Sequence, residues 1–202
     1  KIVSSPAPEG RSGLAWNVRH GYVAVNIFGD TNMVVDGMNE KGLVVSGLWY
    51  ESDMQWSDLP KDPNVPVLAN GMVISWLLGN FATTAEVSQA VKKTPVCAVI
   101  LPQMGMAPPL HLAVQDANGG SIVIEWEHGG VNVYENPLGI MTNAPNFPYM
   151  LTNLRNYAGL NAEQIAAKQY DGVRVVPTGH GAGMFGLPGD ITPPSRFVRL
   201  AV

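Results

Sequence analysis

Two blocks of short alternating runs, residues 21–49 and 110–134, constrain this chain more than any other feature. Gly21 to Phe28, rich in Val, Tyr, Ile and Phe, reads as a strand of period two. Met33–Met38 and Gly42–Trp49 flank the polar turn Asn39, Glu40 and Lys41, which predicts a hairpin. Leu110–Gln115, Ser121–Glu127 and Val131–Tyr134 are separated by Asp116–Gly120 and His128–Gly130, both rich in turn residues. Strands joined by turns this short pair antiparallel.

Helices are expected between and after these blocks. Glu51 to Val65, rich in proline and charge, reads as a surface loop. Pro66 suits the first position of a helix reaching about Leu78, apolar nearly all round except at Asn70 and Ser75. Thr83 and Glu86 form a capping box for a second helix, which Pro95 stops. Asn161, with Gln164 three residues on, predicts a third helix to about Tyr170. Thr192 before Pro193 predicts a fourth, still running at Val202. The order implies α+β, antiparallel sheets with helices on their outer faces. The 202 residues fit a single domain, 1–202, expected to be incomplete at both ends because Lys1 opens the sequence and the last helix has no stop.

Composition removes several function classes. The 12 Lys and Arg are scattered and the net charge is -4, so no nucleic-acid partner is expected. The longest apolar segment, 71–79, is far short of the ~20 residues that span a bilayer, so no membrane partner is expected. The four histidines share no ligand spacing, and neither a metal nor a cofactor is expected. Cys97 sits in the apolar run 96–100, where a thiolate is not stabilised, and reads as a buried structural residue. Glu125 and Glu127 share one face of a strand, either as an acid–base pair or, the favoured reading, as a solvated strand end.

Three segments attract a functional reading. Gly181, Gly183 and Gly186 match the spacing of a dinucleotide fingerprint, but Leu187, Pro188 and Gly189 forbid the helix that must open there. Residues 139–147 read as a strand ending in Thr142 and Asn143 before a proline-containing loop. Asn143 either points its amide into a cleft where an oxyanion forms, or caps its own turn. Arg196 falls in the first turn of a helix, where the dipole disfavours a cation, and an anionic partner would account for it.

Residues 36–49, 139–147 and 186–199 together resemble the choloylglycine hydrolase family, the bile salt hydrolases and penicillin V acylases. The resemblance implies an N-terminal nucleophile hydrolase, a four-layer αββα sandwich with two antiparallel sheets. It implies a cysteine nucleophile at the mature N-terminus, with an arginine and an aspartate shortly after it, all upstream of Lys1. Attack on a linear amide would give an acyl-enzyme that water hydrolyses. Asn143 matches the family asparagine of the oxyanion hole. Trp49 matches the position that contributes a backbone N–H to that hole and lines the pocket, and Arg196 matches the arginine near the nucleophile. The glycine-rich stretch becomes a loop leading to the helix of Arg196.

An aromatic residue at position 49 is more typical of penicillin V acylases, with tryptophan in Gram-negative members, and tilts the expectation toward an acylase. Such relatives also accept N-acyl homoserine lactones. Tyr50, Met54 and Trp56 either extend the substrate wall or serve in packing or facing solvent. The alternatives are a conjugated bile salt hydrolase and a non-catalytic binding protein on the same fold. The resemblance also implies a small-molecule amide substrate, a homotetramer, and a periplasmic or secreted location, with the cytoplasm as the alternative.

Overall fold

Both alternating blocks are strands of one antiparallel sheet. The computed structural model describes residues 1–30 and 33–202, which form two units, Lys1–Ala144 and Pro145–Val202. In the first unit, β1 (Ile2–Ser4) pairs with β2 (Ala15–Asn17). β3 (Tyr22–Asn26), β4 (Val34–Asn39) and β5 (Val44–Trp49) follow. Then come β6 (Leu68–Ala69), α1 (Val73–Asn80), α2 (Thr84–Val91) and β7 (Val96–Cys97). β8 (Leu110–Gln115), β9 (Ser121–Glu127) and β10 (Gly130–Glu135) complete it. The main sheet has the order β10-β9-β8-β5-β4-β3. Its β5–β8 pairing, Val44↔Gln115 through Trp49↔Leu110, joins the two sequence blocks.

One face of this sheet is covered by α1, which packs on β4 and β5. Val45, Leu112, Val114, Ile122, Ile124 and Trp126 share a core cluster with Ile74, Leu77 and Leu78. Each such side chain contributes about 1.5–3 kcal/mol on burial. Gly37 permits the close approach, since a Cβ there would stand 2.6 Å from Leu78 Cδ1 and 2.8 Å from the Val23 carbonyl oxygen. Asn39, 4% exposed, ties the β4–β5 turn to the helix. Its Nδ2 donates to the carbonyls of Leu78 and Phe81, and its Oδ1 accepts from the N–H groups of Lys41 and Leu43.

The helix expected from Pro66 begins later, at Val73. Leu68 and Ala69 instead pair in parallel with Val96 and Cys97, a long-range ladder invisible to local periodicity. α1 is otherwise as expected, buried at seven of its eight residues. α2 starts at the Thr83–Glu86 capping box. Asp116 adds to it from the β8–β9 turn, accepting from the Thr84 N–H and hydroxyl.

The second unit contains α3 (Phe147–Leu154), the hairpin β11 (Lys168–Tyr170) and β12 (Val173–Val175), and α4 (Pro193–Ala201). Two expectations fail here. The helix from Asn161 is absent, because Asn161 Oδ1 turns back onto the Glu163 N–H and the chain then enters β11. The loop after Asn143 instead contains α3, capped by Asn146, whose side chain accepts from the Tyr149 N–H, with Pro148 in its first turn. The glycine-rich stretch opens no long helix. Gly181 and Gly186 have φ of 84° and 93°, and a Cβ on Gly183 would stand 2.5 Å from the carbonyl oxygens of Asn161 and Glu163. These glycines serve turns and close packing.

Candidate active site

Trp49 ends β5, and antiparallel alternation fixes where its backbone points. The Tyr50 N–H donates to the Pro109 carbonyl, so Tyr50 and Pro109 form a hydrogen-bonded pair across the ladder. Trp49↔Leu110 is then the intervening non-bonded pair, and both the N–H and C=O of Trp49 point away from β8. On that edge stands Asn143, whose Nδ2 donates to the Trp49 carbonyl at 3.0 Å. The structure thus brings together the Trp49 backbone and the Asn143 amide, which lie 94 residues apart in sequence. The Trp49 indole is 36% exposed, with its Nε1 donating to Glu51.

Asn143 is not at a strand end as expected. Residues 139–143 run outside any strand, held by side chains: Asn136 Nδ2 donates to the Ile140 carbonyl and His111 Nε2 to that of Thr142, at 2.8 Å. A carbonyl oxygen only accepts, so Nε2 carries the proton.

His111 belongs to a buried polar cluster that sequence reasoning missed. It is fully buried, as are Tyr50 and Glu125, while Glu127 is 9% exposed. His111 Nδ1 and Glu125 Oε1 are 3.1 Å apart. The rings of Tyr50 and His111 stack at 4.7 Å, 9° from parallel. The Tyr50 hydroxyl donates to Glu127, which also accepts from Asn132 Nδ2. Burial first, then the Glu127 hydrogen bond and the nearby carboxylates, push the Tyr50 phenol far above its ordinary range and keep it a donor. The Tyr134 phenol is raised as well, by burial and by Glu125 and Glu127.

The solvated reading of Glu125 and Glu127 is therefore corrected: they share a strand face, and that face is buried. The signal was present in Ile122, Val123, Ile124 and Trp126, an apolar run around Glu125 that marks a strand covered on both sides.

Of the roles left open, Trp56 has packing: it is 7% exposed and lies 4.8 Å from the Trp126 ring. Met54 is half-buried against the same core and bridges Glu127. Tyr50 belongs to the polar cluster. Arg196, in the second unit, is half-buried in the first turn of α4, its Nε donating to the Ile191 carbonyl. Asp190 offsets the helix end by accepting from Thr192 and Ser195, bonds that hold its carboxyl at about 2. Cys97 is buried, as expected, and burial raises its thiol.

Comparison with known proteins agrees with this architecture. The profile of linear amide C–N hydrolases, choloylglycine hydrolase family, matches residues 8–202. The chain is 36% identical over 177 residues to a bile salt hydrolase/transferase of Clostridium perfringens, covering 87% of the chain and 53% of the relative. A crystal structure of a conjugated bile acid hydrolase variant from the same species superposes with a TM-score of 0.83 at 29% identity, over 99% of the chain and 61% of that structure. The penicillin V acylase of Agrobacterium tumefaciens gives 0.73 at 26% identity, over 98% and 52%. The chain thus spans about half the length of the curated relatives it matches. These solved structures are N-terminal nucleophile hydrolases, the α+β class expected. The chain belongs to the choloylglycine hydrolase family of linear amide C–N hydrolases.

Proposed function

We propose that these residues form the oxyanion and pocket part of an enzyme that hydrolyses linear amides. The observation that carries the reading is the Asn143 Nδ2 bond to the Trp49 carbonyl, on the edge to which the Trp49 N–H also points. A primary amide has two N–H bonds. The Asn143 amide, oriented against the Trp49 carbonyl, and the Trp49 N–H would together face the oxyanion. The nucleophile in this reading is a cysteine upstream of Lys1. Its sulfur bonds to the amide carbon, the carbonyl electrons move to oxygen, and the C–N bond then breaks as the departing amine takes the thiol's proton. Water cleaves the resulting thioester, giving a carboxylic acid and restoring the thiol. Arg196 would favour the thiolate.

The finer reading concerns the acyl group. The exposed Trp49 indole offers a flat apolar surface, where burial contributes about 25 cal/mol per Å² and ring stacking about 0.5–1.5 kcal/mol more. It favours aromatic or medium-chain acyl groups, as in a penicillin V acylase, and extends to N-acyl homoserine lactones. The identity to bile salt hydrolases, 36% in the Clostridium perfringens protein, favours the second reading, conjugated bile salts. The test is kcat/KM of the full-length protein on phenoxyacetyl and medium-chain N-acyl amides against glycine-conjugated bile salts. The acylase reading expects the former to be higher, and a preference for bile salts would replace it. Periplasmic or secreted location and tetrameric assembly belong to the same proposal.

A further inference from the structure

The buried cluster and the Trp49–Asn143 pair are parts of one closed circuit. Trp49 is followed by Tyr50, whose ring stacks on His111. His111 donates to the carbonyl of Thr142, and Thr142 is followed by Asn143, which returns to the Trp49 carbonyl. Two covalently linked pairs, Trp49–Tyr50 and Thr142–Asn143, are thus closed by three non-local contacts, and one side chain, His111, takes part in two of these. Both groups proposed to face the oxyanion lie one residue from an atom or ring that His111 touches.

We propose that His111 is a positioning residue that fixes the Trp49 and Asn143 donors relative to each other, braced from behind by Glu125. The inference rests on the amide-hydrolase reading for its catalytic consequence. Its physical basis is directional. The segment 139–143 lies outside any strand, so side-chain hydrogen bonds rather than a ladder set its height above the sheet. The Tyr50 stack has the ring planes nearly parallel, and Glu127 holds the far end of the phenol. Glu125 meets Nδ1 and so orients the imidazole with Nε2 toward Thr142. An oxyanion hole needs its donors within a few tenths of an ångström of their places, and a misplacement of about 1 Å costs about 10²-fold in rate.

Two substitutions separate positioning from bulk packing. The amide of His111→Gln reaches roughly as far as Nε2 and keeps a donor for the Thr142 carbonyl. The amide of His111→Asn reaches roughly as far as Nδ1, and so keeps Glu125 but loses Thr142. In the full-length protein, His111→Asn is expected to lower kcat by about 10–100-fold with KM changed far less, and His111→Gln to recover most of the loss. Hydrogen exchange read on peptides spanning Trp49–Tyr50 and Thr142–Asn143 is expected to quicken in both peptides together in His111→Asn, and less in His111→Gln. If the parent protein hydrolyses no linear amide, the hydrolase reading falls and the exchange data alone decide the brace. If His111→Asn does not fold, Tyr50→Leu, which loses the stack, is compared with Tyr50→Phe, which keeps it. The stack-less variant should then show the lower kcat and the faster exchange at Thr142–Asn143. Equal impairment by Asn and Gln at position 111, exchange that stays unchanged in His111→Asn, or equal behaviour of the two Tyr50 variants would overturn the proposal.

Discussion

The two faces of the six-stranded sheet bury their side chains by different means. Under α1, Val45, Leu112, Ile124 and Trp126 meet Leu77 and Leu78, and what holds them is apolar area and close packing. On the opposite face His111, Glu125 and Glu127 are equally shut from water, with Tyr50 beside them, but each is held by directional contacts. A buried polar group without its partner costs free energy that an apolar neighbour never risks. The first face therefore tolerates a change of shape, whereas the second dictates atom positions. That precision lies next to Trp49 and Asn143, where chemistry would need it.

Conservative substitutions should break the symmetry between the faces most clearly. Glu125→Ala, which strips His111 of its buried partner, is expected to cost about 3–5 kcal/mol. On the apolar face Leu78→Ala reaches a similar ~2–5 kcal/mol through the cavity it leaves. The near-isosteric changes then diverge: Glu125→Gln should still cost about 1.5–3 kcal/mol. Leu78→Met should cost less than about 1.5 kcal/mol. Urea unfolding of the full-length variants measures all four, and a Glu125→Gln change as mild as Leu78→Met would remove the distinction.

An exposed polar cluster sharpens the same comparison with a smaller effect. Asp190 accepts from Thr192 and Ser195 at the start of α4, and these bonds lower its carboxyl from 3.8 to about 2. A depressed carboxyl stabilises the folded state above its unfolded value and loses that contribution as pH falls toward the folded one. Exchange protection of α4 amides, corrected for intrinsic pH dependence, should therefore weaken between about pH 4 and pH 2. Asp190→Asn should flatten that response, and a parent protein whose α4 protection ignores this window would show that the cap contributes nothing.

How much of this was legible beforehand follows the same division. Strands β3–β5 and β8–β10 were readable from alternation and turn residues, because the apolar face imposes period two on the sequence. The Thr83–Glu86 capping box and the Thr192–Pro193 helix start were readable because caps are local. Leu68–Ala69 was misread as helix because its parallel partner Val96–Cys97 lies far along the chain. The polar face was misread because alternation cannot distinguish a carboxylate facing water from one facing histidine. Only the apolar residues on both sides of Glu125 hinted otherwise. Trp49 and Asn143 were legible as a pair through family resemblance, but the His111 contact that connects them is a tertiary fact.

The central question is whether the Asn143 amide stabilises a developing oxyanion. The most direct measurement is single-turnover and steady-state hydrolysis of a linear N-acyl amide by the full-length protein and its Asn143→Ala variant, with unfolding monitored in parallel. Loss of one such donor should lower kcat by about 10²–10³-fold while the unfolding midpoint barely moves. A variant that folds normally and turns over at close to the parental kcat would contradict the account.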